Sequence, residues 1–594
     1  MVSEIIQRFT GPRTKVPVRQ YGALLLKYLR RQKSIVALAS TLILANIGLQ
    51  LVNPQIMRYF IDEAVAGSPL GTLMAAAVLF AGVALVQQVI GVLATYTSGQ
   101  VGWNATNALR SDLARHALFL DMPFHNSNTP GQMIERIDGD AQTLGGFFST
   151  FAVRILGNVI MLVAVLALLF RENWLVGLAL TVFALFSLSI VMRMRNVSVT
   201  NWRANREEST KTYGFIEERL AGREDIRTSA AQSYVMKGYF DHMWRWFRVR
   251  VKAAFVANVV SGTMETIYGV GIAVALAAGA YLYFEDWITI GTVYLIYGYT
   301  RLVIGPIFQM SDEIEGLQQA GASVIRINDL LRTRREVADG PGRKFRKGAL
   351  AVRLDAVSFG YSSAESVLRD ITLDLRPRRV LGLLGRTGSG KTTITRLLFR
   401  LYDPDEGRVL IGGEDVREAR IAELRNRVGL VTQDVRLFHG TLRDNLTFFD
   451  RDAPDDRLLE VLHDLGLSRW YDTLSDGLDT TLEPEGGGLS SGEAQMLAFA
   501  RVFLKDPGLV ILDEATSRLD RSTEAAIERA VDRLVEGRTV IIVAHHLATI
   551  QRCDDIVILE GGRVVEAGER EALASDPNTR FHSLLRSGLE EVLT

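Results

Sequence analysis

The chain has one cysteine, Cys553, in 594 residues. That excludes an intramolecular disulfide framework and a cysteine-based zinc site, and leaves a single buried thiol as the expectation. Net charge is also missing, because 67 basic residues balance 67 acidic ones. With 48% hydrophobic and 23% charged residues the chain is neither disordered, nor collagen-like, nor a simple polybasic nucleic-acid binder. The balance is a cancellation. Residues 1–350 hold 36 Lys and Arg against 25 Asp and Glu, whereas residues 351–594 hold 31 against 42. The length likewise exceeds one ordinary domain.

Over long stretches of the first half, charge of either sign is absent. None occurs in Ser34–Met57, Ala64–Leu109, Ile155–Phe170 or Asn173–Met192. Ala253–Phe284 contains only Glu265, and Trp287–Ser311 only Arg301. A bilayer core takes about 20 mostly apolar residues as helix. Six spans are therefore expected near 34–57, 71–96, 150–170, 174–193, 256–283 and 287–309. The third is short and is extended upstream by Phe147–Val153. Six such runs together set aside the alternative, buried helices of a soluble core.

Flanking basic residues give the orientation. Arg13, Lys15, Arg19, Lys27, Arg30, Arg31 and Lys33 precede the first span and place the N-terminus in the cytosol. The short loops around Arg58, Asp62 and Glu63, at Arg171-Glu172-Asn173 and at Glu285-Asp286 are poor in Lys and are expected outside. No cleavable signal peptide is expected. Two long connections, 97–149 and 194–255, read as membrane helices continuing into the cytosol. A short crosswise helix is expected in each, at Met122-Pro123-Phe124 through Thr129-Pro130-Gly131 and at Glu217–Gly222.

In the second half, apolar strands alternate with helices. Val380–Leu384 leads into Gly385-Arg386-Thr387-Gly388-Ser389-Gly390-Lys391-Thr392-Thr393 and a helix. This is the phosphate-binding loop pattern in its strand–loop–helix context. Glycines let backbone N–H groups converge on phosphate oxygens, and the helix N-terminus adds partial positive charge. Lys391 would reach the β- and γ-phosphates of a nucleotide, and the Thr392 hydroxyl would ligate Mg²⁺. Leu509–Leu512 is a second apolar strand, ending in Asp513, suited to the Mg²⁺ side, and Glu514, suited to polarising the attacking water. Val540–Ala544 is a third, ending at His545 on the ligand edge of an open α/β sheet.

These motifs resemble a half-size ATP-binding cassette (ABC) transporter of the exporter fold, over nearly the whole chain. Tyr361 resembles the aromatic that stacks on adenine. Gln433 resembles the glutamine that senses Mg²⁺ and water and faces the membrane domain. Leu489-Ser490-Ser491-Gly492-Glu493 resembles the signature motif, which contacts ATP held by the opposite subunit. Ser517-Arg518-Leu519-Asp520 resembles the loop linking the two sites, and Ala544-His545-His546-Leu547 the switch-histidine segment. The resemblance implies an all-α six-helix transmembrane domain with long cytosolic helical extensions, followed by an α/β P-loop ATPase domain with a helical subdomain. It implies ATP and Mg²⁺ as cofactors. Two such chains would sandwich two ATP molecules, closure would turn an inward-facing cavity outward, and hydrolysis would reset it.

The expected segments are 1–33 (cytosolic, with an elbow helix), 34–335 (membrane), 336–350 (linker), 351–585 (nucleotide-binding) and 586–594 (tail). The expected activity is ATP-driven transport, most simply export of a drug, lipid or peptide from a bacterial cell across its plasma membrane. An importer of metal chelates with the same fold and a non-transport cassette ATPase are the alternatives. No nucleic-acid partner is expected.

Two departures matter. The family signature usually reads Leu-Ser-Gly-Gly-Gln, whereas here Ser491 and Glu493 stand at its third and fifth positions, and the preceding stretch looks one residue short. With Glu514 and His545 intact, the resemblance suggests a heterodimer in which this chain supplies one competent site; a homodimer with a harmless variant is the alternative. Charges in a bilayer are costly and thus functional candidates. Glu265 lies 19 residues inward of Phe284, roughly 28 Å, and Arg301 lies 14 inward of Trp287, roughly 21 Å. They are expected at similar depth, either lining the cavity or forming a structural salt bridge. Gln87, Gln88, Asn46, Asn53 and Asn158 are expected to join helices.

Overall fold

The computed structural model describes residues 18–150, 155–362, 366–432, 435–450, 453–483, 489–513, 521–543 and 547–587. The chain forms two compact units. One comprises the residues up to Phe119 together with Thr129–Thr333, and the other comprises Leu120–Asn128 together with Arg334 onward. The chain therefore passes from one unit to the other three times.

The first unit is helical. Its elements are α1 (Val18–Leu29), α2 (Lys33–Val65) and α3 (Leu70–Leu118), then, after α4 (Met122–Ser127) in the other unit, α5 (Pro130–Ile134) and α6 (Asp140–Thr150). There follow α7 (Gly157–Glu172), α8 (Trp174–Ala221), α9 (Arg223–Thr228), α10 (Gln232–Phe284) and α11 (Ile290–Arg332). The expected spans fall on α2, α3, α7, α8, α10 and α11; the upstream part of the third crosses 151–154, outside the described residues. Helices α3, α8 and α10 have 49, 48 and 53 residues. At helical rise that is about 70–80 Å, far more than the ~30 Å of a hydrocarbon core.

The stretches Gly22–Val65, Leu70–Leu118, Trp174–Val191 and Gln232–Phe284 are long and apolar enough to cross a membrane by length and composition. The spanning part of α11 is less apolar because Tyr294, Tyr297, Tyr299, Arg301 and Pro306 fall within it. Helix α3 exposes Leu70, Met74, Val78, Leu85, Val89 and Val92, a surface suited to lipid and not to water.

The first short helix is where the sequence suggests, but the second is not. Glu217–Ala221 continues α8; the chain breaks at Gly222, and the short piece is α9 after it. The Glu217 to Leu220 run is a good helix former, and glycine is the first residue that interrupts it.

Several polar groups within the helical unit are paired between helices, while others, such as the buried Asn46 Oδ1 and Ser187 Oγ, have no partner among the described residues. Asn53 Nδ2 donates to Gln87 Oε1 at 3.1 Å, and Asn158 Nδ2 to Gln309 Oε1 at 3.0 Å. Tyr299, fully buried, donates to the Leu51 carbonyl and accepts from Gln55 Nε2. At the helix ends Arg58 pairs with Glu172 at 2.8 Å. Asp62 accepts from Thr289 Oγ1 and from the Gly291 N–H, both at 2.9 Å. Asp140, 1% exposed, accepts from Ser323 Oγ and Arg326 Nε, each at 2.8 Å, and so ties α6 to the end of α11.

The second unit has two large sheets and a separate two-stranded pair, β7 (Gly440–Thr441) with β8 (Thr481–Leu482). Strands β1 (Val352–Phe359), β2 (Leu368–Leu375), β4 (Glu406–Ile411) and β5 (Glu414–Asp415) form an antiparallel sheet in the order β2-β1-β4-β5. The other sheet runs β12-β11-β3-β10-β9-β6. Here β3 is Val380–Gly385, β6 Val428–Val431, β9 Leu509–Asp513, β10 Thr539–Val543, β11 Asp555–Glu560 and β12 Arg563–Glu569. All but β12 are parallel to their neighbours. Their near-continuous Val/Ile/Leu runs follow, because a parallel sheet is covered on both faces. Val380, Leu384, Val510, Leu512, Val540 and Ile542 face a core shared with helix Ser491–Lys505. The alternate residues Leu381, Leu383, Leu509, Ile511, Ile541 and Val543 face a core shared with the antiparallel sheet. Cys553 is buried here, and burial pushes its thiol pKa up to about 12.

Leu120–Asn128 belongs to this unit, although 97–149 was expected to stay with the membrane half. Met122 packs on the core, Asn126 Nδ2 donates to Tyr402 Oη at 2.5 Å, and Asp121 accepts the Glu336 and Val337 N–H groups.

A Cβ at Gly291 would lie 2.5 Å from both the Arg58 carbonyl and Asp62 Oδ1. We expect Gly291→Ala to cost about 1–3 kcal/mol through overpacking. A thermal-unfolding scan in detergent tests this; an unchanged midpoint would show that the two helices separate freely there.

Candidate functional site

Strand β3 is buried along its whole length and delivers the chain to Gly385. Gly388 and Gly390 have φ of +83° and +106°, and Gly385 has φ of +148°. Side chains rarely adopt these values. A Cβ at Gly385 would also lie 2.3 Å from the Leu559 carbonyl. The loop then enters helix Lys391–Leu398 with Gly390 as its N-cap. Lys391 is buried, and its ammonium donates to the carbonyls of Gly385, at 2.5 Å, and Arg386, at 3.2 Å. The lysine thus lies along the loop itself. The Ser389 hydroxyl is buried and has no hydrogen-bond partner among the described residues. An orphaned buried hydroxyl inside a glycine loop at a helix N-terminus is the arrangement that fits a bound phosphate chain.

Sheet register brings the other candidates to the same edge. Val543 at the end of β10 pairs with Leu383 of β3 on one side and Asp513 of β9 on the other. Val431 of β6 pairs with Leu512. All four strands run parallel, so their C-terminal ends open together beside the phosphate loop. Asp513 is half-exposed at that edge and Thr392 is exposed. Their oxygens are the described ones that would hold Mg²⁺, an ion that usually keeps several waters and takes one or two protein ligands beside the phosphates. Gln433, Glu514, Asp520 and His545 lie outside the described residues. Glu514 follows Asp513 directly in sequence, His545 follows Val543 by two, and Gln433 follows Val431 by two.

Tyr361 is exposed, and its ring meets those of Phe359 and Tyr402 edge-on at 5.1 and 5.2 Å. Arg396 donates to its hydroxyl at 2.9 Å, and Thr393 Oγ1 is 3.1 Å away. Since Asn126 donates to Tyr402, a chain of contacts runs from α4 through Tyr402 to Tyr361. Nothing in the sequence distinguishes Tyr402 or Asn126 from their neighbours.

The signature segment shows what its glutamate does. Ser490 is the N-cap of helix Ser491–Lys505: its hydroxyl accepts from the Glu493 N–H at 3.2 Å, and the Glu493 carboxylate accepts from the Ser490 N–H at 2.7 Å. This reciprocal capping box is made by Glu or Gln alike. The Ser-x-x-Glu spacing at 490–493 carries that signal in the sequence, and the comparison with the family signature alone does not draw on it. Leu489 is half-buried against the helical core, and Gly492 is buried within the first turn.

A groove of about 870 Å³ is lined by Thr432, Arg436, Phe438, Phe448, Arg501 and Lys505 among others. Burial lowers the pKa of Arg501 to about 10 and also lowers that of Lys505.

In the helical unit, Glu265 and Arg301 are both exposed and neither bonds the other. The expected pairing fails for a geometric reason. Helix α11 starts at Ile290, not Trp287, so Arg301 is eleven residues in, about 16 Å, against about 28 Å for Glu265. An arginine facing lipid at mid-bilayer costs about 2.5–3.5 kcal/mol or more.

Residues 36–307 match the family model for the ABC transporter transmembrane region, and residues 368–517 match the ABC transporter model. A Staphylococcus aureus ATP-binding/permease protein named for multidrug export is 30% identical over 499 residues, 82% of this chain and 84% of its own. The uncharacterized ABC transporter ATP-binding protein YfiC of Bacillus subtilis is 28% identical over 92% of this chain and 91% of its own. An ATP-dependent lipid A-core flippase of Alcanivorax borkumensis is 28% identical over 84% and 86%. The fold matches a bacterial Atm1-family ABC exporter with ATP bound at a TM-score of 0.78 and 24% identity, covering 94% of this chain and 98% of that one. A membrane domain followed by a nucleotide-binding domain in one polypeptide, with relatives of the same length and order, makes this chain a half-transporter of the ABC transporter family.

Proposed function

We propose that a dimer containing this chain exports an amphiphilic drug, lipid or peptide across the bacterial plasma membrane, with its N-terminus and ATPase domain in the cytosol. The observation that supports this best is the convergence, at one sheet edge, of the phosphate loop with the ends of β6, β9 and β10. Backbone N–H groups of Gly385–Thr392 and the Lys391 ammonium hold the ATP phosphates, once the lysine turns from its loop carbonyls. Thr392, Asp513 and Gln433 are the residues that would hold Mg²⁺, which offsets phosphate charge when bound. Glu514 accepts the proton of a water attacking the γ-phosphorus as the bond to the bridging oxygen breaks, His545 contacts the γ-phosphate, and Tyr361 stacks on adenine. Asp520 belongs to the loop that links the two sites. Leu489–Glu493 closes on the opposite subunit's ATP. Glu265 and Arg301 line the substrate cavity. The membrane domain disfavours a cassette ATPase without transport, and the exporter relatives disfavour chelate import.

The favoured partner is a second, different half-transporter. Supporting this, Ser491 replaces a glycine where close backbone approach to phosphate is needed, and Glu493 adds a negative charge at the same helix N-terminus. Its capping box satisfies the Ser490 N–H, as glutamine would, so the charge, not the cap, is what differs. The chain purified alone should hydrolyse ATP slowly. Full ATPase activity from two equivalent sites in the isolated homodimer would overturn this reading.

Lys391→Ala should lower ATP turnover at least a hundredfold through lost phosphate contact. Glu514→Gln should do the same while still trapping ATP, and fluorescent-nucleotide binding separates the two. Tyr402→Phe, which removes the hydroxyl that accepts from Asn126, should leave nucleotide affinity within about twofold but reduce substrate-stimulated ATPase. Unchanged stimulation would exclude a coupling role for that contact.

A further inference from the structure

The exposed surface of α11 through the membrane has an unusual composition. Between Gly291 and Gln309, only Tyr294, Arg301 and Gln309 are exposed, while every aliphatic side chain is buried or half-buried. On α10, Asn258, Ser261, Gly262, Glu265 and Gly269 are exposed at helical spacing and form one polar, small-residue stripe. Beside that stripe α10 exposes Phe255, Val259 and Val270, and α3 exposes Leu, Val and Met over a similar length. The α10 and α11 stripes therefore have the composition of a water-filled path and α3 that of a lipid contact. Arg301 and Glu265 bond to no other described residue. On the antiparallel pair α10 and α11, joined by Glu285–Thr289, they are offset along the membrane normal by about 12 Å, from eight residues of helical rise.

Two unpaired charges of opposite sign, held apart on one polar path, are complementary to a solute with the reverse arrangement. We propose that the transported substrate is amphoteric. It carries an anionic carboxylate or phosphate for Arg301 and, several bonds away, a cationic amine for Glu265. The planar guanidinium fork suits the oxyanion, and the carboxylate suits the ammonium. The offset favours a solute whose charges are separated over a compact zwitterionic lipid headgroup, whose charges adjoin. This inference rests on the reading of the chain as an ATP-driven pump.

The test uses the assembled transporter in nanodiscs, with ATPase stimulation as the readout. The probes are octylamine, octanoate and octanoate bearing an amine at its far end. The two-charge probe should half-stimulate at a concentration at least tenfold below either one-charge probe. Arg301→Gln should raise its half-stimulating concentration to that of octylamine, and Glu265→Gln to that of octanoate. The exchange Arg301→Glu with Glu265→Arg should recover discrimination that neither single change retains.

Equal stimulation by all three probes, or single variants that shift all three alike, would overturn the proposal. So would saturation by phosphatidylethanolamine nanodiscs with no further response to the two-charge probe, which would identify a lipid headgroup instead. ATP turnover of the unaltered transporter no higher than that of Lys391→Ala would sink the pump reading itself. Turnover without charge discrimination sinks only the amphoteric substrate.

Discussion

A bilayer supplies no hydrogen bonds to a polypeptide backbone, and the first half of this chain is organised around that fact. Each crossing has to be helix throughout, so every break, short helix and paired charge is pushed toward the ends. Arg58, Glu172 and Asp62 pair where the helices emerge, and Asp140 is enclosed by Ser323 and Arg326 where α11 has already run far past the apolar stretch. Polar groups left inside, such as Asn53 with Gln87, join helices to one another. Among the described residues of the spans, the two charged side chains left without a partner, Glu265 and Arg301, are therefore informative, because this solvent penalises them.

The nucleotide unit obeys a different constraint, alternation of side chains across a parallel sheet. Because Val380 and Leu384 face one core and Leu381 and Leu383 the other, β3 is fixed in register with β10 and β11. Register in turn brings the loop after each strand to one edge. The chemistry assigned to Lys391, Asp513 and Glu514 depends on that edge more than on any single hydrogen bond, since the residues come from segments over a hundred positions apart.

Much of this was legible in the sequence. Charge-free runs marked the spans, and the apolar strands marked the sheet, because both are one-dimensional consequences of burial. The glycines of the phosphate loop were legible because positive φ demands them. Other features were not. Tyr402 is one tyrosine among sixteen, and only the fold reveals that it bridges Asn126 and Tyr361. The place of α9 was missed by a few residues because Glu217–Ala221 and Arg223–Thr228 are equally good helix formers, and Gly222 alone decides between them. The depth of Arg301 was misjudged because the helix start depends on Thr289, whose hydroxyl caps Thr292 N–H, and not on the last charged residue of the loop.

The membership of Leu120–Asn128 in the nucleotide unit carries a practical consequence. That unit is discontinuous in sequence, with a distant segment completing it. A fragment beginning at residue 334 would lack the Met122 side chain that packs on its core, and the Asp121 carboxylate that receives the amides of Glu336 and Val337. Excised in the usual way, the ATPase domain would be a damaged version of the one the whole chain contains, and its stability and nucleotide affinity would describe the fragment alone. A faithful isolated domain would need those nine residues grafted back.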